Sequence, residues 1–253
     1  MKILAIIGTP QKKHTYRNVQ NLFTELSKFG DVETETLTLS DYNLKSCTGC
    51  KVCLDKGEEL CPLKDDRDAV LKKIEAANGI VWATPNYTFQ VSGIMKIFLD
   101  RLGFICHRPK YFGKVSCSIV TQGVFGGGKI VEYLKFISKA IGFNSLKGIV
   151  LTTREPVTER IAKSNEKKIK VLAEKFYKEL NKKHLPTPSL FELMIFRMSR
   201  TSMGKALDDS FRDYRYYKEM GWFQSPYYYE TNLNPVKKVI ANIFDLLALR
   251  MAG

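Results

Sequence analysis

The sequence predicts an α/β protein: a doubly wound, five-stranded parallel sheet of order 2-1-3-4-5 with a mostly helical C-terminal extension. Three observations predict it. Five short β-rich apolar runs alternate with longer helical patterns, the rhythm of right-handed crossover units. The first run, Ile3–Ile7, is apolar without interruption, as a strand buried on both faces requires. The rhythm stops near His184, where Pro186 and Pro188 mark a break and an aromatic-rich tail begins. The expected organisation is therefore a sheet domain over residues 1–185 and an extension over residues 186–253.

Each element has its own warrant. After strand Ile3–Ile7 and a polar loop, a helix is expected from Tyr16 to Phe29, with Val19, Leu22, Phe23 and Leu26 on one side. Val32 to Leu39 alternates in the manner of an edge strand, with Thr34, Thr36 and Thr38 sharing a face. Asp66 to Ala77 reads as a helix with Val70, Leu71 and Ile74 inward. Strand Ile80–Ala83, helix Gly93–Leu102, strand Val115–Val120, helix Lys129–Ile141 and strand Ile149–Leu151 follow. A long basic helix then carries Ile161, Ile169, Leu172, Phe176 and Leu180 on one face. In the extension, Leu190–Met198 and Pro235–Met251 look helical. The segment between them holds Phe211, Tyr214, Tyr216, Tyr217, Trp222, Phe223 and Tyr227 to Tyr229. The last helix has an apolar face wide enough to need a partner, its own domain or a second subunit, and a homo-oligomer is expected. Membrane-surface attachment is the lesser alternative, because the helix is only weakly basic.

Composition narrows the class. The chain has 253 residues, with 40 Lys and Arg against 26 Asp and Glu, a formal charge of +14. Hydrophobic residues at 44% and charged residues at 26% are globular values, which exclude wholesale disorder and repetitive fibres. No apolar run approaches the ~20 residues that span a bilayer. The opening apolar stretch runs into Thr-Pro-Gln-Lys-Lys rather than a small-residue cleavage site, so a buried strand of a cytoplasmic protein is expected. Residues 154–183 hold ten Lys and Arg against five Glu, the usual look of a solvated helix face that also attracts phosphate-bearing or acidic partners. No nucleic-acid recognition module is visible.

In doubly wound sheets ligands bind beyond the carboxyl ends of the strands, and three such loops are informative here. The first, Gly8-Thr-Pro-Gln-Lys-Lys-His-Thr-Tyr16, brings hydroxyls, an amide, cations and a helix start together where one phosphate can sit. It lacks the dinucleotide fingerprint. A second, Gly123-Val-Phe-Gly-Gly-Gly-Lys-Ile130, matches G-x-x-x-x-G-K but has Ile130 where a magnesium-binding hydroxyl is needed, which argues against a nucleoside triphosphatase. Its glycines still suit close approach of backbone to a flat ligand.

The third loop, Thr84-Pro-Asn-Tyr-Thr-Phe-Gln-Val-Ser-Gly-Ile-Met-Lys-Ile-Phe-Leu-Asp-Arg101, resembles the signature of the NAD(P)H-dependent FMN reductases, whose fold is flavodoxin-like. That family places a P-x-Y stretch beside the isoalloxazine ring and continues to K-x-x-x-D-R. The strand-one loop is similar to the family's G-S-P-R-x-x-x-N-T, and the resemblance covers roughly residues 1–180. It implies that Thr9, Gln11, His14, Thr15 and Tyr16 hold the FMN phosphate. Pro85, Asn86, Tyr87, Thr88 and Phe89 then line the ring, and Thr121, Gln122 and Gly123 reach its pyrimidine side. Gln11 stands where the family has Arg, and His14 takes the place of its Asn if one residue is deleted; Lys12 or Lys13 could supply the missing charge.

Cys47, Cys50, Cys53 and Cys61 crowd into fifteen residues, while Cys106 and Cys117 stand apart. The spacing Cys-x2-Cys-x2-Cys-x7-Cys-Pro is similar to the compact motif of iron-sulfur flavoproteins, a branch of the same family. Three readings stay open: a 4Fe-4S cluster, a structural or redox thiol loop, and zinc, which usually takes more widely separated pairs.

The expected function is an FMN-dependent oxidoreductase. Hydride would come from NAD(P)H, and electrons would leave to a quinone, a flavin or a one-electron carrier, the last through a 4Fe-4S cluster. The flavin carries the chemistry, so no obligatory catalytic side chain is assigned. The alternatives are a flavodoxin-type electron-transfer module without pyridine-nucleotide turnover of its own, and a non-enzymatic scaffold whose loop binds a metal.

Overall fold

The structure is a computed structural model that describes residues 1–251. Residues 252 and 253, the end of the expected extension, lie outside the described residues. The chain divides into two compact units: residues 1–48 with 63–183, and residues 49–62 with 184–253.

The first unit is the expected sheet with helices on both faces. Strands β1 (Lys2–Ile7), β2 (Glu33–Thr38), β3 (Gly79–Pro85) and β4 (Val115–Gln122) run parallel in the order β2-β1-β3-β4. The fifth position is shared by two short strands, β5 (Asn144–Ser145) and β6 (Ile149–Thr152), each parallel to β4. Only the second was anticipated. The break between them comes at Gly148, where an added Cβ would meet the Ser118 carbonyl oxygen at 2.4 Å, so the backbone passes too close to β4 for any side chain.

Central strands β1 and β3 are buried almost throughout, while the outer half of edge strand β2 is exposed. Helix α1 (His14–Leu26) buries Val19, Leu22, Phe23 and Leu26, and α7 (Glu159–Leu180) buries Ile169, Leu172, Ala173 and Phe176. The two helices pack beside each other, and these residues close one core with β1, β3 and β4. The basic residues of α7 leave this core to the apolar stripe, as a solvated helix does. Helices α3 (Arg67–Ala76), α4 (Gly93–Asp100), α5 (Gly103–His107) and α6 (Gly127–Ala140) complete this unit. Between α3's start and the end of α4 lies a buried ion pair, Asp65–Arg101.

The second unit joins the cysteine segment to the extension. Helix α2 (Val52–Asp55) packs against α9 (Arg212–Glu219). Helix α8 (Leu190–Ala206) begins with a capping box, Ser189 and Glu192 each closing on the other's backbone, and packs along α10 (Pro235–Met251). Asp245 of α10 accepts from Arg200 at 2.8 Å through both oxygens, from Arg197 at 2.7 Å and from Thr201 at 2.6 Å. The aromatic residues form this unit's own core: Phe196 meets Trp222, Tyr227 and Tyr228 edge-on, and Tyr217 meets Trp222 likewise. Helix α10 turns small Ala241 and Ala248 inward and leaves Val236, Val239, Ile243 and Leu246 exposed. No helix among the described residues is long and apolar enough to cross a membrane.

Candidate flavin site

Parallel strands aim all their carboxyl ends at one edge, and the loops leaving β1, β3, β4 and β6 enclose a cleft of about 180 Å³ there. Thr9, Gln11, Lys13, His14, Thr15, Pro85, Asn86, Tyr87, Thr121, Gln122, Gly123 and Thr153 line it. Three residues grouped with these in the sequence, Tyr16, Thr88 and Phe89, do not line the cleft. Tyr16 packs on the core under the Lys12 ammonium, 5.8 Å from its ring centre. Thr153 went unnoticed because it follows a short strand and sits in no motif. The only signal for it was its position just past a strand end.

The phosphate-side wall starts at Gly8, whose N–H donates to Ala83 O at 2.8 Å. A Cβ on Gly8 would meet Met95 Cβ at 2.8 Å, so only glycine lets β1 turn out against the start of α4. Helix α1 then opens at Lys13 with no side chain capping it. First-turn N–H groups have no intrahelical acceptor, and the helix dipole makes them a receptor for an anion. Buried Thr15 shares a 2.7 Å hydrogen bond with Thr121, tying the helix start to the end of β4. His14 Nε2 lies 2.8 Å from exposed Glu155 Oε1.

The opposite wall is a strained turn. Tyr87 and Gln90 exchange backbone hydrogen bonds of 3.1 and 3.0 Å, while Thr88 and Phe89 between them hold φ of 50° and 61°. Positive φ at both central positions is the geometry of a tight two-residue hairpin turn, and it costs more for Thr and Phe than for Gly or Asn. The turn holds aromatic rings out: Tyr87 is 55% exposed, Phe89 57% and Phe125 66%. Phe89 and Phe125 lie with centroids 5.2 Å apart. Gly126, at φ 97°, permits this, since a Cβ there would stand 2.6 Å from Phe89 Cδ1.

Asn86 links the walls. Its N–H donates to Thr121 O at 2.7 Å and its amide nitrogen to Phe125 O at 2.8 Å. Its Oδ1 is buried without a hydrogen-bond partner, an acceptor that awaits a donor. Gln122 is fixed from both sides, its amide nitrogen donating to Val124 O at 3.0 Å and its Oε1 accepting from Gly127 N at 2.8 Å. An anion receptor at one end, an unsatisfied acceptor in the middle and exposed rings at the other fit a flat heterocycle carrying one phosphate.

The motif that continues this loop serves structure. Lys96 pairs with Asp100 one turn on, whereas Arg101 turns inward to Asp65 and also donates to Lys45 O at 3.1 Å. Asp65 accepts in addition from Lys45 N at 2.9 Å and Arg67 N at 3.3 Å. Burial raises the Asp65 pKa most, but these donors outweigh it together, and the carboxyl stays below the usual carboxylate range.

Of the four clustered cysteines, Cys47 and Cys50 are exposed and Cys53 and Cys61 half-buried. The donor set suits an iron-sulfur cluster chemically. Among the described residues, however, no three His, Cys, Asp or Glu side chains converge as metal ligands would. Cys117 is buried in the sheet, where burial pushes its thiol far up, and Cys106 is raised by burial as well. Cys117 packs in the sheet core, and Cys106 is half-buried.

Comparison with known proteins agrees with the geometry. Residues 1–155 match the NADPH-dependent FMN reductase family. An iron-sulfur flavoprotein of Archaeoglobus fulgidus is 37% identical over 143 residues, 56% of this chain and 69% of the relative. A second protein of that name from the same organism is 28% identical over 236 residues, 88% of this chain and all of the relative. In fold, the chain is similar to RosB with a bound riboflavin-phosphate intermediate, at a TM-score of 0.56 and 14% identity over 93% of this chain and 92% of that one. It is also similar to an NAD(P)H:quinone oxidoreductase from Methanothermobacter marburgensis, at 0.55 and 15% over 68% and 95%. The chain belongs to the NADPH-dependent FMN reductase family and is an NAD(P)H-dependent flavin oxidoreductase.

Proposed function

We propose that FMN binds in this cleft and that its electrons leave to a quinone, a free flavin or a one-electron carrier. The observation that carries the placement is the uncapped start of α1 sharing one cleft with Asn86, whose Oδ1 is orphaned, and with the exposed ring of Tyr87. Thr9, Gln11, Lys13, His14 and Thr15 would hold the phosphate; Pro85, Asn86 and Tyr87 the ring; and Thr121, Gln122, Gly123 and Thr153 its polar edge. Thr88 and Phe89 set the turn that presents the ring wall, and Tyr16 supports the helix start from below. When bound, the flavin takes up hydride and releases electrons singly or in pairs. The protein's share is to orient the ring, neutralise the phosphate and leave one face open for the nicotinamide.

The cysteines extend this reading. Their spacing, and the printed names of the relatives, support a 4Fe-4S cluster on Cys47, Cys50, Cys53 and Cys61, which would let a two-electron donor serve a one-electron carrier. Exposed thiols call for reducing surroundings, so a cytoplasmic setting belongs to the reading. The exposed apolar side of α10 supports a homo-oligomer.

Anaerobic purification followed by mass analysis of the released cofactor and iron assay tests both parts. FMN with about four irons per chain is expected. FAD would refute the cleft assignment, and iron-free protein would refute the cluster alone.

A further inference from the structure

The cysteine segment and the C-terminal extension are far apart in sequence, yet they share one compact unit. The junction is specific. Arg215, on α9, sends one guanidinium nitrogen to Asp209 O at 2.7 Å and Ser210 O at 3.0 Å. The other nitrogen donates to Lys56 O at 3.3 Å, across 159 residues of chain. Lys56 is the C-cap of α2, so its carbonyl belongs to the group that a helix end leaves unsatisfied, at the negative pole of the helix. A planar guanidinium holds two backbone sites in a fixed fork geometry, whereas the donors of an ammonium rotate freely.

The anchor side of the fork is braced. Asp208 Oδ1 accepts from Ser210 N at 2.9 Å, and Asp209 pairs with Lys218 on α9 at 2.9 Å. On the other side, the segment folds through short local turns, and its α2 packs against α9. Leu54 and Asp55 N–H donate back to Lys51 O, and Gly57 N–H to Val52 O. Gly49 and Lys51, on either side of Cys50, sit at φ of 68° and 59°. A one-turn helix is not stable by itself, and Lys51 at a left-handed φ adds to the cost, so outside contacts help to hold it.

We propose that Arg215 is a positioning residue for the cysteine segment, fastening α2, and with it Cys50, Cys53 and Cys61, to the extension. The extension is then the platform that presents these thiols. Loss of the fastening exposes the half-buried pair, Cys53 and Cys61, and weakens metal retention. The metal part rests on the cluster reading above; the fastening does not.

Full-length Arg215→Ala, Arg215→Lys and the control Arg212→Ala test it, with alkylation rates at each thiol read by mass spectrometry on metal-free, reduced protein. Cys106 serves as an internal reference. Arg215→Ala should raise the rates at Cys53 and Cys61 about fivefold or more, the factor that losing roughly 1 kcal/mol of hydrogen bonding gives. Arg215→Lys should fall between it and the wild type, and Arg212→Ala should change neither thiol. After anaerobic reconstitution with ferrous iron and sulfide, Arg215→Ala should retain less than half the wild-type iron and keep its FMN. Unchanged rates at Cys53 and Cys61 overturn the proposal, and if Arg215→Ala does not fold, the rates in Arg215→Lys decide it. A wild type that takes up no iron refutes the cluster and leaves the alkylation result standing.

Discussion

Replacing Asp65 by Asn should destabilise the sheet unit by about 3–5 kcal/mol, the range found when one partner of a buried ion pair is removed. The side chains of Arg101 and Asp65 are 2% and 1% exposed, so neither charge has water to fall back on. Asn keeps the shape but removes the carboxylate charge that faces the buried Arg101 guanidinium. Urea unfolding measures this, with flavin and metal removed so that ligand binding does not offset the loss. The chain has two tryptophans, Trp82 in the sheet unit and Trp222 in the other, so a Trp222→Phe background makes fluorescence report the first alone. With an m-value of about 3 kcal/mol per molar, the midpoint should drop by roughly 1–1.7 M. Acid gives an independent check. The Asp65 pKa is lowered on folding, so its contribution is complete above the unfolded value of ~3.9 and vanishes as pH falls through the folded value. The gap between wild type and variant should hold steady near neutrality and narrow below about pH 4. A midpoint shift under about 0.3 M, or a gap that widens in acid, would refute the reasoning.

Two further outcomes follow from the cleft and from α10. Gly126→Ala puts a Cβ 2.6 Å from Phe89 at a φ of 97°, so it should cost on the order of 1–2 kcal/mol and weaken FMN binding about tenfold by fluorescence titration; an unchanged Kd would detach this loop from the ring. Ile243→Glu with Leu246→Glu alters only exposed positions, so the thermal midpoint should barely move while sedimentation shows smaller particles; unchanged particle size would clear this face of any role in assembly.

The sheet was legible because its signals are local. Buried parallel strands are continuous apolar runs, and Ile3–Ile7 and Ile80–Ala83 lie within β1 and β3. What escaped depends on contacts distant in sequence. Helix α5 follows α4 after a two-residue break, and the pattern, which ends the helix at Leu102, gives no sign of it. The split of the fifth strand is set by the approach of Gly148 to Ser118, which no periodicity encodes. The cleft shows the same division. Most cleft-lining residues from Thr9 to Gly123 sit in recognisable motifs, although Tyr16, Thr88 and Phe89 share those motifs without lining the cleft. Thr153, in contrast, enters only because β6 ends beside β4, where its N–H reaches Gln122 O at 2.8 Å.

The cysteine segment was the hardest part to read, and the structure gives a physical reason. Its two roots are pinned in the sheet unit: Asp65 takes the Lys45 and Arg67 N–H groups, and Asp66 and Asn43 exchange backbone and carboxylate bonds of 3.0 and 2.7 Å. Its middle is pinned in the other unit through Lys56 and Arg215. The two fastenings use separate residues, so they should fail separately. Asp65→Asn loosens the roots and the sheet unit together, whereas Arg215→Ala loosens the thiols and leaves the sheet as stable as before. The K-x-x-x-D-R stretch, the strongest sequence mark of the flavin loop, thus ends in an arginine whose partner secures the stems of the thiol loop. A chemical motif and a folding device overlap at Arg101, and a substitution there would lower activity without that residue touching the cofactor.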